Sequence, residues 1–485
     1  MLIKKDQDIL IGYLEDSSNL SGGHAEALVL PSDIEELSEF VKDANSSKTP
    51  ITVSAGGTST TGSRIPFGGA IVSTEKFNKI LDISEDEMAA RVQAGVLVED
   101  LKKASETKGL FYTSHPTEKT AFVGGTIATN ASGPRSLKYG PTRKWVKRLK
   151  MIMPTGEIFE IRRGERFLDG PYLKLSLPGG RVIDAVLPTY RTPDVKSSAG
   201  YYMKPGMDLI DLFIGQEGTL SIIIEADIAL AKKPKSILSS FVFFDNEPDA
   251  WLFSRGAKLI KDILSIEYFG SNALRLLRNK NTNIPSGKNA AIFFEQETGG
   301  GSDDSAIDVW ASLIKKCGST LDDSWVAMNE KDAERFAQLR HMVPESVNDI
   351  VRRDGFKKLS ADIAVPDDKF PEMMNYYTET FKAEHFEYMI FGHIGESHVH
   401  VNILPKSEQE EAHAKETILY FIRKGLSLGG TVSAEHGIGK IKHRYLEEMY
   451  GAAGVAEMAR VKKAFDPNCI LGLDNIFSRD LLNTL

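Results

Sequence analysis

Apolar residues at Ile34, Leu37, Phe40 and Val41 recur at helical spacing behind Pro31. They predict an amphipathic helix over 31–45, capped by Ser32 or Asp33. Short apolar runs then predict strands at 51–54, 70–72, 89–93 and 146–153, with a helix from Val98 to about Thr107 among them. Residues 162–205, rich in Pro, Gly and Arg, show no clear period and read as an irregular insertion. A tight turn at 215–220 leads into an apolar strand at 222–224. Beyond the Lys-Lys-Pro-Lys-Ser tract at 232–236 the pattern changes. Strands are expected at 238–244, 290–295, 325–328, 359–365 and 387–391, and helices at 247–263, 303–316, 330–340, 367–382 and 406–427. That reads as an α+β module with an antiparallel sheet. The last fifty residues read as helical, ending in a turn at 465–468.

One stretch alternates strictly: 391–402, FGHIGESHVHVN. From His398 onward, His398, His400 and Asn402 face one way, while Val399, Val401 and Ile403 face the other. The glycine-rich turn before it brings His393 close to the same column. A second piece, SAEHGIG at 433–439, places Glu435 and His436 side by side among glycines. Two histidines and a carboxylate form a familiar ligand set for zinc or another borderline divalent ion. His436 then remains as a base near neutral pH.

Two other runs are made of small residues. AGGTSTTGSR at 55–64 is neither a Walker loop nor a Gly-x-Gly-x-x-Gly turn, yet its amides and hydroxyls could cradle a pyrophosphate. VGGTIATNASG at 123–133 implies close backbone approach to a large flat or extended ligand. Tyr139-Gly140 follows just beyond.

Composition narrows the class. At 485 residues the chain suggests two or three domains, and its 41% hydrophobic and 26% charged residues are those of a soluble globular protein. The net charge of -8, with no long basic block, argues against a general nucleic-acid binder. Cys317 and Cys469 are too few for a disulfide framework, a zinc knuckle or an iron–sulfur site. The N-terminal stretch lacks secretory-signal features, and no window approaches a membrane span. The expectation is a cytoplasmic protein, peripheral to a membrane only through a partner.

Taken in order, AGGTSTTG, GGTIATNASGP, GQEGTL, GHIGESHVHVN, SAEHGIG and FDPNCIL resemble the FAD-linked oxidase family that includes vanillyl-alcohol oxidase and p-cresol methylhydroxylase. The likeness is greatest to its D-2-hydroxyacid dehydrogenase branch. The resemblance implies an α+β fold: a two-part FAD-binding domain of the p-cresol methylhydroxylase type at 1–235 and an α+β cap domain with an antiparallel sheet at 236–430. A C-terminal helical segment at 431–485 would carry the Glu-His pair and return to the FAD domain. Gly56, Gly57, Thr58, Ser59 and Gly62 would bind the pyrophosphate. Gly124, Gly125, Thr129, Asn130 and Gly133, with Tyr139 and Gly140, would line the flavin, and Glu217, Gly218 and Ile223 would lie near the adenine end. No histidine stands in the first loop where relatives with covalent flavin carry one, so the FAD is expected to be noncovalent.

In the cap, the resemblance makes His393, His400 and Glu435 metal ligands, for zinc or else manganese or iron. It makes His436 the catalytic base, has Arg340 grip the substrate carboxylate, and gives Asn402 a polar contact. The implied reaction oxidises a D-2-hydroxy acid of the D-lactate, glycolate or D-2-hydroxyglutarate class to the 2-oxo acid. Electrons would pass to an acceptor such as an electron-transfer flavoprotein, an iron–sulfur subunit, a quinone or a cytochrome, and the chain could pair as a homodimer. The rival readings are an alkyl-dihydroxyacetone-phosphate synthase, a sugar or alditol oxidase, or an inactive flavoprotein subunit of a complex. Three departures from the family pattern stand out: Ser54-Ala55 for Arg-Gly, Glu396-Ser397-His398 for Asp-Gly-Asn, and Gly472 to Asn475 for Asn-Pro-Gly-Lys.

Overall fold

The protein is described by a computed structural model covering residues 1–281, 283–299 and 304–485. The first long helix forms at Ile34–Ser47, where the Asp33 carboxylate accepts the Glu36 N–H at 2.8 Å and caps it. Its buried face, Leu37, Val41 and Ala44, packs on a four-stranded sheet ordered Leu2–Lys4, Ala27–Leu30, Ala70–Ser73, Ile51–Ser54. The last three of these strands are parallel. A second, antiparallel sheet runs Ile80–Ser84, Ala89–Gln93, Ile222–Ala229, Val146–Ile152, Ile158–Arg162. The strand expected at 222–224 thus extends to Ala229.

One expectation for this half needs correction, and one run takes a conformation that the sequence left open. The small-residue run at 123–133 opens as a short helix, Val123–Ala128. Its glycines let that turn press onto Ala94, where a Cβ on Gly124 would sit 2.6 Å from the Ala94 Cβ. The 162–205 stretch is not wholly irregular. Tyr172–Ser176 and Val182–Val186 pair as an antiparallel hairpin, with Leu173, Leu175, Ile183 and Ala185 buried. The alternation was present, but each strand is only five residues long.

The second half is built on a seven-stranded antiparallel sheet among the described residues. Its order is Ser324–Val326, Ser236–Phe244, Ala290–Thr298, Ile263–Phe269, Tyr388–Gly392, His398–Ile403, Leu359–Ala364. Strand Ile263–Phe269 contradicts the helix expected at 247–263, which stops at Ala257. Every residue of that strand is buried, so it offers no alternation to read. Helix Ser271–Lys280 follows it and also went unforeseen. The helix expected to end at 340 continues through Pro344 to Asp354. The helix expected from 303 begins at Asp304; residue 303 lies outside the described residues.

The last fifty residues are only partly helical. Loop 431–442 is irregular, helix His443–Phe465 kinks at Gly451, and a non-helical stretch precedes the short helix Arg479–Thr484. That stretch runs back onto the first sheet, where the Gly472 N–H donates to the Ile51 carbonyl at 2.9 Å. Lys462, 1% exposed, fastens it there. Its ammonium donates to the carbonyls of Thr219 at 2.6 Å and Leu471 at 2.8 Å and pairs with the buried Asp466 carboxylate. Among the described residues no helix is long and apolar enough to cross a membrane.

Candidate active site

Strand His398–Ile403 lies between Tyr388–Gly392 and Leu359–Ala364, so its side chains must alternate between two faces. Val399 and Val401 enter the core, leaving His398, His400 and Asn402 on the other side. The preceding turn depends on Gly392. Its φ of 116° suits glycine, and a Cβ there would lie 2.9 Å from the His400 ring. That turn folds His393 back until its ring centroid is 5.2 Å from that of His400.

Loop 431–442 reaches the same face, where the Ala434 N–H donates to the Asp362 carbonyl at 2.8 Å. Glu435 then comes into the middle of the imidazoles. Its Oε1 lies 3.3 Å from Nε2 of His393, 3.3 Å from Nε2 of His400 and 3.7 Å from Nε2 of His436. His393, His400 and His436, drawn from two separate stretches of the chain, therefore converge on the Glu435 carboxylate.

The electrostatics suit a cation. Burial by itself would raise the Glu435 carboxyl, but Lys196 and His393 hold it well below the ordinary carboxylate range. Burial pushes His400 down to about 3, so its ring is neutral and keeps a lone pair. Burial would also depress His393, yet Glu267 and Glu435 outweigh it and raise it to about 9. The Glu267 carboxylate lies 2.9 Å from His393 Nδ1 and so orients the ring, as carboxylates behind metal-binding histidines do. Two adjoining groups of side chains, with no member in common, could hold an ion: His393, His398 and Glu435, or Asp362, His400 and His436. Asp362, however, already accepts from His398 Nε2 at 2.8 Å and the Ser433 hydroxyl at 3.0 Å, and pairs with Lys442 at 3.3 Å. With His398 Nε2 and His436 Nδ1 both turned to Asp362, the Nε2 atoms of His393 and His400 converge on Oε1 of Glu435.

Arg340 belongs to the same cluster. Its guanidinium lies 3.2 Å from Glu267 Oε1 and donates to the Thr117 hydroxyl at 3.1 Å, while its buried Nε has no partner. The Asn402 side-chain oxygen accepts from the Ser360 hydroxyl at 2.6 Å. Three contributors were not singled out from the sequence, Glu267, Asp362 and Lys196, and Glu396 was noted only as part of a departure from the family pattern. A lone acid inside the apolar runs ILSIEYF and LSADIAV was the available signal for the first two. Lys196 comes from the segment read as an insertion, and nothing local marks it. It is 5% exposed at the side chain, 2.6 Å from Glu435 and 3.0 Å from Glu396.

The small-residue loops lie beside this cluster. Loop 55–64 touches the Glu-His loop: the Lys440 N–H donates to the Thr61 carbonyl at 2.9 Å, and the Thr61 hydroxyl to that of His436 at 3.4 Å. Gly56, Gly57, Thr58, Ser59 and Gly62 form this loop, with Gly57 and Gly62 at φ of 75°. Gly56 and Gly133 are required by chain-on-chain packing. A Cβ on either would fall 2.3 Å from a carbonyl oxygen, of Thr120 or His115. Along the same edge the hydroxyls of Thr113, Ser114 and Ser132 are buried without partners. A polar, ring-bearing ligand would satisfy them.

Other expected cofactor contacts are already engaged within the protein. Thr129 donates to the Gly125 carbonyl at 3.0 Å, and Asn130 Oδ1 accepts the Arg143 N–H at 3.0 Å. Tyr139 packs on Phe111 and Trp145, ahead of Gly140 at φ 76°. Ile223 is buried in its strand, opposite Met151. Glu217, before Gly218, spends its carboxylate on the N–H groups of Ile438 (2.8 Å) and Gly439 (2.7 Å) and the Ser63 hydroxyl (2.8 Å). It clamps the Glu-His loop to the first half, a role that sequence reasoning did not foresee.

Known proteins match this chain over most of its length. The sequence is 29% identical over 458 residues to D-lactate dehydrogenase of Anaerostipes hadrus, covering 92% of this chain and 88% of that one. It is 26% identical over 482 residues to glycolate oxidase subunit GlcD of Bacillus subtilis, covering 96% and 92%. The fold superposes on 4-ethylphenol oxidase from Gulosibacter chungangensis, solved with isoeugenol, with a TM-score of 0.69 at 16% identity, covering 99% and 95%. A family model described as FAD binding domain matches residues 25–162, and one described as FAD linked oxidases, C-terminal domain, matches 233–473. Between them the two models take in both the small-residue loops and the histidine–carboxylate cluster, and so the chain belongs to the FAD linked oxidase family and is an FAD-dependent oxidoreductase.

Proposed function

We propose that this protein oxidises a small D-2-hydroxy acid to the corresponding 2-oxo acid. The observation that carries the reading is the convergence of His393 Nε2 and His400 Nε2 on Glu435 Oε1, with His436 half-exposed beside them. The relatives named D-lactate dehydrogenase and glycolate oxidase subunit support the substrate class. FAD, when bound, supplies a two-electron acceptor, and a divalent ion such as zinc, manganese or iron supplies a Lewis acid.

His393, His400 and Glu435 would hold the ion. Gly56, Gly57, Thr58, Ser59 and Gly62 would hold the pyrophosphate, and the edge at 113–114 and 132–133 would face the ring. Arg340, a planar fork with one donor still unpartnered, would take the substrate carboxylate. Asn402 would add a polar contact from its neighbouring position on the strand. His436 Nε2 would then accept the hydroxyl proton as the α-hydrogen departs with its electron pair. An acceptor beyond the flavin completes the cycle, and Cys317 and Cys469 offer no cluster of their own.

A panel of D-2-hydroxy acids, assayed with an artificial dye acceptor before and after chelation, tests the proposal. D-lactate, glycolate or D-2-hydroxyglutarate should bleach the flavin anaerobically, and chelation should abolish turnover until metal is restored. If none of the panel bleaches the flavin of the metal-loaded protein, the reading fails.

Metal binding should also release about one proton. In the metal-free protein His393 is held between Glu267 and Glu435, with Lys196, His398 and His400 around it, and is raised from 6.5 to about 9. A coordinated imidazole must be neutral, so near pH 7.5 that proton has to leave. Calorimetric titration in buffers of different ionisation enthalpy counts it. The same shift sets a stability trend for the chelated protein. A raised histidine stabilises the fold fully below its unfolded value of 6.5, and that contribution is lost as pH rises through about 9. The thermal midpoint of chelated protein should therefore fall across that window.

A further inference from the structure

The geometry points to Asp362 as the residue that positions His436, fixing its proton on Nδ1 so that Nε2 presents a bare lone pair to the substrate. The inference rests on the proposed reaction for its consequence, though not for its geometry. Asp362 sits in strand Leu359–Ala364, 3% exposed and in register with His400. Its two oxygens have separate duties. Oδ1 is 2.8 Å from His398 Nε2, and Oδ2 is 2.9 Å from His436 Nδ1. Oδ2 also accepts the His436 backbone N–H at 3.1 Å and the Ser433 hydroxyl at 3.0 Å, with Lys442 at 3.3 Å. Ring, backbone and carboxylate thus lock one another.

A neutral imidazole carries a single N–H. An ionised carboxylate can only accept, so the nitrogen facing it must be the donor. That leaves Nε2 as the acceptor, and Nε2 is the nitrogen on the side of Glu435 Oε1, 3.7 Å away. His436 could not hold this orientation by packing alone, since its side chain is 33% exposed. His398 has the complementary task. It is wholly buried, its Nδ1 has no partner, and its one hydrogen bond steadies the far oxygen of Asp362. This accounts for a histidine where a shorter polar residue would leave Oδ1 unheld.

Two measurements test the inference. Nitrogen-15 spectra of histidine-labelled wild-type enzyme, assigned by difference with His436→Asn, should show the Nδ1–H form of His436 under alkaline conditions. Finding the Nε2–H form would overturn the proposal without any variant having to fold. In stopped-flow flavin reduction, Asp362→Asn should slow the reductive step by up to about 10⁴-fold, the loss seen when a supporting aspartate is neutralised and the wrong tautomer results. The substrate concentration giving half-maximal rate should change by less than about threefold. If Asp362 merely balances the Lys442 charge, Lys442→Met should slow reduction as much as Asp362→Asn does, and that equality would also overturn the proposal. Should the Nδ1–H form be present while no D-2-hydroxy acid reduces the flavin, the proposed reaction falls and the pairing stands.

Discussion

His436→Asn lowers the rate of flavin reduction by a D-2-hydroxy acid by about 10²–10⁴-fold, the usual cost of removing a general base, and leaves the protein yellow. The second half of this expectation follows from where the side chain points. His436 contacts Asp362, Glu435 and the His400 ring, and its carbonyl accepts from Thr61. Loop 55–64 therefore meets the backbone of residue 436, which the substitution leaves in place. The proposed ligand set His393, His400 and Glu435 is likewise untouched, so metal content should stay at the wild-type level. Single-turnover reduction, with FAD and metal measured on the same sample, checks all three expectations. Reduction at the original rate would remove His436 from the role of base. Loss of FAD together with rate would show that the residue serves the fold.

Lys462→Met destabilises the protein by about 3–5 kcal/mol, the usual penalty for stripping one partner from a buried ion pair. Asp466 is 0% exposed and would remain charged beside an apolar side chain. The carbonyls of Thr219 and Leu471 would lose a donor at the same time. Because the Leu471 N–H also donates to Asp466, the return of residues 470–472 to Ile51 loosens with them. The midpoint of a urea transition followed by tryptophan fluorescence should move sharply downward. Replacing Asp466 at the same time, as Lys462→Met with Asp466→Leu, should recover much of the loss, since an apolar pair of similar volume leaves no unpaired charge. An unchanged midpoint in the single variant would mean that the pair contributes nothing.

What could be read in advance depended on whether the two faces of an element differ. The strand at 398–403 sets polar side chains on one face and apolar ones on the other, so it alternates and was visible, and the helix at 34–47 carried both its cap and its stripe. Strand Ile263–Phe269 is buried on both faces and adjoins a helix, so its run of apolar residues carries no period. The helix that passes through Pro344 was cut short because a proline usually ends one; packing of Phe336, Leu339, Val343 and Val347 holds it together. At the site, His393, His400, Glu435 and His436 were legible because histidines are few and stand in distinctive strings. Glu267, Asp362 and Lys196 act only through their partners. What makes them important is a distance across the fold, and no local pattern records such a distance.

The clamp formed by Glu217 has a consequence for dividing the molecule. That carboxylate comes from the first half and is met by backbone N–H groups of residues 438 and 439, after the chain has passed through the entire seven-stranded sheet. A gene cut at the lysine-rich tract near 232–236 would yield one fragment whose buried anion keeps only the Ser63 hydroxyl as donor and another with a glycine turn lacking its anchor. Neither piece would be a finished module. Co-expressed fragments should regain colour only by docking, whereas each expressed alone should precipitate or remain colourless.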